Sequence, residues 1–367
     1  GIRDRSPSRG LGDVYKRQVI LYSLASFGMG HATRAVPMIE RLKNDYEIHI
    51  FTSRNAKIWL SKRYPHIHDN LTLTGVTFQG RINPRLSAIK AWLNLPLTAL
   101  YILNILIFIL IKRPVAVYLD FEFHAGVAAR IANYFYDLPI ITCDNFTSIL
   151  YSEVPFELTQ EETKAHARWK KNIRMITNSA DHFLVHKYLE TKLSHPNAEY
   201  VPIPVRDEIL EASRDITYDG AIVVSTGSLL NSDLLEVLKQ TPFQYLFFGH
   251  IGEFEDGNIQ FKNFSDQDYL QALKEAPFVL VSGNSSAIDA LAMNKPIINI
   301  PHPGHFEQYF CGRVYQYLGV GLLAENLMPE QVETFHSNLE SYIESIQKLE
   351  YFDNEYLLSR VKKHLKL

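Results

Sequence analysis

The strand-like segment VILYSL (19–24) leads through Ala25-Ser26-Phe27-Gly28-Met29-Gly30-His31-Ala32-Thr33-Arg34 straight into a helical pattern. Gly28 and Gly30 allow a tight turn and a close approach of a ligand to backbone N–H groups at a helix N-terminus. The imidazole of His31 at that turn could accept a proton from a hydroxyl, or simply cap the helix, and Arg34 could be a packing or surface residue. A nicotinamide-dinucleotide site would need a third glycine at position 33 and an acid ending the second strand. Thr33 and Thr52-Ser53 stand there instead, so that reading is rejected.

Three further strand-to-helix loops carry chemistry. After VAVYLD come Asp120, Glu122 and His124, which could orient an acceptor and raise the basicity of His31; otherwise Asp120 caps a helix and Glu122 is solvated. Ser225-Thr226-Gly227-Ser228 presents small hydroxyls and a glycine before a helix, suited to a diphosphate or to an ordinary N-cap at Ser228. The last runs Ser282-Gly283-Asn284-Ser285-Ser286-Ala287-Ile288-Asp289, then KPIINIP, then His302-Pro303-Gly304-His305-Phe306-Glu307-Gln308. Its N–H donors suit phosphate oxygens, while the side chains of Asp289, Glu307 and Gln308 suit sugar hydroxyls. The plain alternative for Asp289 is a solvated acidic helix start.

Strand-length apolar runs alternate with helical patterns along most of the chain and position these loops. The expected fold is α/β, with two tandem Rossmann-like doubly wound domains and an interdomain cleft where strands give way to helices. Pro202 and Pro204 mark the boundary between a first domain, 19–203, and a second, 204–340. Helices at 341–367 are expected to pack back on the first domain. Residues 1–18, basic and without an apolar run, read as a non-native or disordered leader.

Composition narrows the function classes. The chain of 367 residues is 46% hydrophobic, enough for sizeable cores, and two cysteines in different halves build neither a disulfide framework nor a zinc site of cysteines. Residues 19–203 carry 20 basic against 15 acidic side chains, and residues 204–367 carry 12 against 23. Only the first half therefore favours anionic surfaces. The scattered basic residues form no aromatic-basic module, which argues against nucleic acid. LPLTALYILNILIFILI (95–111), with Arg81, Arg85 and Lys90 before it and Lys112 and Arg113 after, could be a buried helix, a short membrane span or a helix dipping into one leaflet. The basic segment Lys164–Arg174 contains Trp169, as an interfacial anchor would, although a solvated helix face explains it as well.

FGMGHATR and SGNSSAIDALAMNKPIINIPHPGHFEQYF together resemble the GT-B glycosyltransferases, in the nucleotide-sugar branch of MurG-type and UDP-glucuronosyltransferase-like enzymes. The resemblance covers residues 19 to 340. It implies that Ser282, Gly283 and Asn284 to Ser286 meet a diphosphate, with Ser228 facing phosphate as well. It also implies that Asp289 binds the ribose, that Glu307 and Gln308 read the sugar, and that Phe264 and Ser265 meet the base. His31 takes the place of the general base; His250 and His305 match no family role, although His305 sits within the expected donor loop. Asn284-Ser285-Ser286 replaces a longer glycine-rich run.

The resulting expectation is metal-independent, inverting transfer from a nucleotide sugar, a UDP-sugar for preference, with no cofactor and no metal ligands assigned. Arg313 is the nearest expected cation for the diphosphate. The acceptor is a hydroxyl, lipid-linked or on a cell-envelope glycan, and the protein is expected in the cytoplasm, peripheral at the inner face of the cytoplasmic membrane. Two alternatives remain open: a sugar-nucleotide 2-epimerase or hydrolase using Asp120, Glu122 and Glu307, and a non-catalytic nucleotide-sugar-binding subunit.

Overall fold

The computed structural model describes residues 17–26, 29–70, 77–78, 81–82, 89–90, 92–226, 232–248, 252–263 and 265–365. Gly28, Gly227, Ser228, Phe264 and His250, as well as the leader up to residue 16, lie outside the described residues.

The first half contains β1 (Val19–Leu24), β2 (Glu47–Thr52), β3 (Ile67–Asp69), a small antiparallel pair β4 (Thr77–Phe78) and β5 (Arg81–Ile82), and then β6 (Ala116–Asp120), β7 (Ile140–Asp144), β8 (His182–His186) and β9 (Ala198–Val201). All but the small pair form a seven-stranded parallel sheet in the order β3-β2-β1-β6-β7-β8-β9. Every residue of VILYSL is buried, as expected of a parallel strand covered on both faces. The second half repeats the plan with β10 (Ile222–Ser225), β11 (Tyr245–Phe248), β12 (Phe254–Asp256), β13 (Ile259–Lys262), β14 (Val279–Val281), β15 (Ile297–Asn299) and β16 (Gly321–Leu323). Its order is β12-β13-β11-β10-β14-β15-β16, parallel except for β12 against β13.

In each sheet the strand order reverses beside the first strand, between β1 and β6 and between β10 and β14. The loops leaving these neighbours diverge to opposite faces and leave a crevice at the carboxyl edge, where open α/β sheets bind ligands. Register then decides which residues meet: Leu24 pairs with Asp120, and the N–H of Ala25 donates to the Asp120 carbonyl at 3.0 Å. In the second sheet the N–H of Ser282 reaches the Ser225 carbonyl at 3.4 Å.

The last helix, Asn354–Lys363, begins at an Asp353 cap and lays Leu357 and Val361 into the core of the first half. Asn354 bridges back to the interdomain segment, its amide donating to the Val205 carbonyl at 2.6 Å. Helix Leu95–Lys112 is not a buried core helix. Thr98, Ile105 and Ile109 form its inward stripe, while Leu100, Leu103, Ile107 and Ile111 are exposed. Ile105 and Ile109 of that stripe pack against the core of the first half, and the helix is long and apolar enough, by length and composition, to cross a membrane.

Candidate active site

His31 stands in the first turn of helix Gly30–Leu42, delivered to the crevice by β1. Its Nδ1 lies 2.9 Å from Asp120 Oδ1. Arg34, one helical turn on, donates through one nitrogen to both oxygens of Asp120, at 2.8 and 3.1 Å, and that nitrogen is also 3.0 Å from His31 Nδ1. With its proton on Nδ1 donated to the Asp120 carboxylate, which can only accept, the imidazole keeps its lone pair on Nε2, and the Arg34 N–H groups are then taken up by Asp120 rather than by Nδ1. Burial alone would raise the Asp120 pKa, but the Arg34 and His31 charges hold it down at about 2. Asp144, buried beneath them, is raised instead, first by burial and then by the charge of Asp120.

Glu122 does not take a catalytic position. It accepts from its own helix start, the N–H groups of His124 and Ala125 at 2.9 and 2.7 Å, and pairs with the His124 ring at 2.7 Å and Ser23 at 3.1 Å. A buried carboxylate so surrounded builds the loop, which leaves Asp120 as the carboxylate that orients His31. The epimerase reading loses one of its acids by the same geometry.

Across the cleft, helix Ser285–Ala292 aims its N-terminus at the His31 turn. A Cβ added at Gly30 would lie 2.0 Å from the Ser285 hydroxyl, so the two halves meet backbone to side chain at the expected diphosphate position. Gly283 has φ +118, a conformation that favours glycine, and its N–H points to Asn299 Oδ1 at 3.4 Å. Ser225 and Ser286 share a hydrogen bond of 2.6 Å. The Thr226 hydroxyl is buried with no hydrogen-bond partner among the described residues. Ser265 caps helix Asp266–Glu275 by accepting from the Asp268 N–H at 3.3 Å.

The remaining expected donor residues hold the halves together. Glu307 accepts from Asn145 at 2.8 Å, and Asn145 in turn accepts from Arg34 at 3.1 Å, which links the His31 cluster to the second domain. Asn284 is fixed between Tyr188 of the first half and Tyr315 of the second. Gln308 accepts from the His302 N–H at 2.8 Å, and His305 caps the same helix. Asp289 pairs with Arg206 at 3.0 Å, and burial raises its pKa against the pull of that charge. A cavity of only about 20 Å³ remains here, lined by Thr33, Arg34, Pro204, Arg206, Ser285, Ile288 and Asp289.

Arg313 is not a diphosphate cation in this arrangement: it pairs with Glu162 across the cleft, and Tyr309 donates to the same carboxylate at 2.7 Å. Trp169 is no membrane anchor either. It faces the cleft beside Phe146 at 6.2 Å, His305 at 5.8 Å and Phe306 at 6.5 Å. With Phe146 6.2 Å from His31 and stacked at 3.8 Å on Phe121, an aromatic wall runs beside the expected base. An Asp-x-Asp spacing occurs at Asp266 and Asp268. Asp266 faces Arg63 and Arg206, both at 3.4 Å.

A family model described as Glycosyl transferase family 1 matches residues 18–340. No curated protein matches the sequence. Among solved structures, MurG from Acinetobacter baumannii is similar at 14% identity and a TM-score of 0.61, over 94% of this chain and 99% of that one. The glycosyltransferase SnogD from Streptomyces nogalater is similar at 14% identity and a TM-score of 0.61, over 95% and 100%. UGT2 from Phytolacca americana, complexed with UDP-2-fluoro-glucose and pterostilbene, is similar at 13% identity and a TM-score of 0.64, over 95% and 99%. Both sheets are thus arranged as in two-domain GT-B enzymes.

Proposed function

The chain belongs to glycosyl transferase family 1, and we propose that it transfers a sugar from a UDP-sugar to the hydroxyl of a lipid-linked or cell-envelope acceptor, metal-independently and with inversion. The observation that carries this reading is the meeting of the two switch points: His31, held by Asp120, faces the N-terminus of helix Ser285–Ala292. The acceptor O–H gives its proton to His31 Nε2 while its oxygen bonds the anomeric carbon. The bond from that carbon to the β-phosphate oxygen breaks, and the nucleoside diphosphate leaves with its charge met by backbone N–H groups and the Ser225, Thr226, Ser285 and Ser286 hydroxyls.

The acceptor side is apolar. Phe121, Phe146 and Trp169 offer an aromatic wall beside His31, and on the outside of the same half helix Leu95–Lys112 exposes Leu100, Leu103, Ile107 and Ile111. Tyr134 and Phe135 are exposed near its C-terminal end, where the Tyr136 hydroxyl meets the Ile109 carbonyl at 3.4 Å. Lys90 precedes the helix and Lys112 and Arg113 close it, the charge complement of an anionic bilayer surface, so we place this face on the cytoplasmic leaflet.

The test is a thermal-shift screen of the full chain against UDP, GDP, dTDP, CMP and UDP-sugars, with and without magnesium. A rise in Tm with UDP that needs no magnesium supports the donor assignment; no shift with any of them overturns it. For the acceptor side, the Leu100→Asp/Ile107→Asp double variant should lose sedimentation with vesicles of phosphatidylglycerol and phosphatidylethanolamine. Equal sedimentation of variant and parent overturns the membrane contact.

A further inference from the structure

We propose that Glu47, His49 and His66 form a site for a divalent transition-metal ion of the zinc class, at the end of the first sheet opposite the cleft. Glu47 and His49 are two residues apart on β2 and share one face of the sheet. His66 lies just before β3, its carbonyl accepting from the Ile50 N–H at 2.9 Å, which sets its ring beside them. Glu47 Oε1 is 2.7 Å from His49 Nε2 and 3.9 Å from His66 Nε2, and the three ligand atoms all lie within 4.8 Å of one another. Among the described residues no other trio of His, Cys, Asp or Glu brings its ligand atoms so close.

Two imidazoles and a carboxylate with a position left for water are a donor set that zinc accepts, at about 2.0–2.2 Å from each atom in a tetrahedral shell. Reaching it asks Glu47 and His49 to part slightly and the exposed His66 ring to swing in. The outer support is already present, since His49 Nδ1 is 2.9 Å from His68 Nε2. In the metal-bound form His49 carries its proton on Nδ1 and donates it to His68, the arrangement that orients a metal-binding imidazole. Lys112 and Lys57 are the neighbouring cations; Lys57 is paired with Asp69 at 2.7 Å, and the Glu47 carboxylate supplies the negative charge of the site.

The place of the site suggests what it does. Phe108 of helix Leu95–Lys112 sits 4.9 Å from the His49 ring and 5.1 Å from the His68 ring. A metal that fixes His49 and His66 therefore fixes the floor on which the apolar helix rests. This inference is independent of the transfer reaction, and its failure leaves that reading untouched.

The experiment is calorimetric titration of the chelator-treated full chain with zinc chloride, with cobalt absorption as a second readout. The parent should bind one equivalent, gain several degrees in Tm, and show the visible bands of four-coordinate cobalt. His66→Ala, an exposed position that spares the fold, and Glu47→Gln should each weaken zinc by at least about tenfold. Absence of zinc binding by the parent, or parent-like binding by His66→Ala, overturns the site. If the parent binds no zinc and metal-free His66→Ala has a lowered Tm, the trio is a packing cluster and the site is overturned equally.

Discussion

The two switch points share a backbone plan and differ in their chemistry. The first gathers ionisable groups, with His31, Asp120 and Asp144 buried and Arg34 half-buried, and ties Arg34 to both Asp120 and the amide of Asn145. The second offers hydroxyls and N–H groups at Ser225, Thr226, Gly283, Ser285 and Ser286, and its carboxylate Asp289 is held by Arg206. The contrast matches what the proposed transfer asks of each. A group that moves a proton needs a fixed tautomer and a fixed partner, whereas a dianionic leaving group needs donors that bring no counter-charge of their own. The acidic balance of the second half therefore poses no obstacle to diphosphate binding, because helix N-termini supply the positive potential there.

The sharpest way to break this contrast is His31→Ala. Loss of a general base should lower kcat by about 10²–10⁴-fold while UDP affinity stays as in the parent. Unchanged turnover would remove the proton-transfer role from the first switch point. Asp120→Asn comes next, with kcat reduced by about 10–10³-fold, because an amide does not hold Nδ1 as an ionised carboxylate does. The same variant has a pH signature. Asp120 sits at about 2 in the folded chain against an ordinary 3.8, so its contribution is complete above pH 3.8 and lost as pH falls toward 2. That contribution is about 2 kcal/mol, and it should be missing from the acid limb of Asp120→Asn in denaturant midpoints measured between pH 4 and 2. An acid limb of parental steepness would mean that the Arg34–Asp120 pair does not carry it.

The same contrast explains what could be read from the sequence. Strand ends were legible because continuous apolar runs such as VILYSL mark buried parallel strands: Asp120 is the last residue of one, and His31 lies at the helix start that follows another. The edge strands β3, β12 and β16 are three residues long, too short for any periodicity to register. Arg34, Asn145 and Trp169 carry no local signal, since their partners Asp120, Glu307 and His305 are distant in the chain: the pairing of β1 with β6 joins the first pair, and the meeting of the two halves joins the other two. Glu122 misled because its partners are its own loop N–H groups, a capping role that looks the same in sequence as a free acid. The exposure of helix Leu95–Lys112 was open for a different reason: a helix apolar all round has no polar face to say which side is buried.

On the second switch point, Asp289→Ala sharpens the comparison at moderate size. A carboxylate that binds ribose hydroxyls contributes about 1.5 kcal/mol or more, so UDP affinity measured by calorimetry should fall by about tenfold. The loss should appear in Kd with kcat nearly unchanged, the reverse of His31→Ala. Unchanged affinity would show that Asp289 serves only to hold Arg206.

The smallest effect is expected where the two switch points touch. At Gly30 an added methyl would stand 2.0 Å from the Ser285 hydroxyl, whereas the Ser285 Cβ is 3.1 Å away. Gly30→Ala should therefore hinder closure of the two halves and raise KM for the donor several-fold. Removing the obstructing oxygen with Ser285→Ala should restore part of that loss, because the remaining contact needs only a few tenths of an ångström of adjustment. A double-mutant cycle separates this from an intrinsic effect of alanine on the helix start: coupling between the two sites means that the turn and the facing helix act as one closing surface. Strict additivity would mean that the halves approach the donor independently, and that the contact between Gly30 and Ser285 has no part in closure.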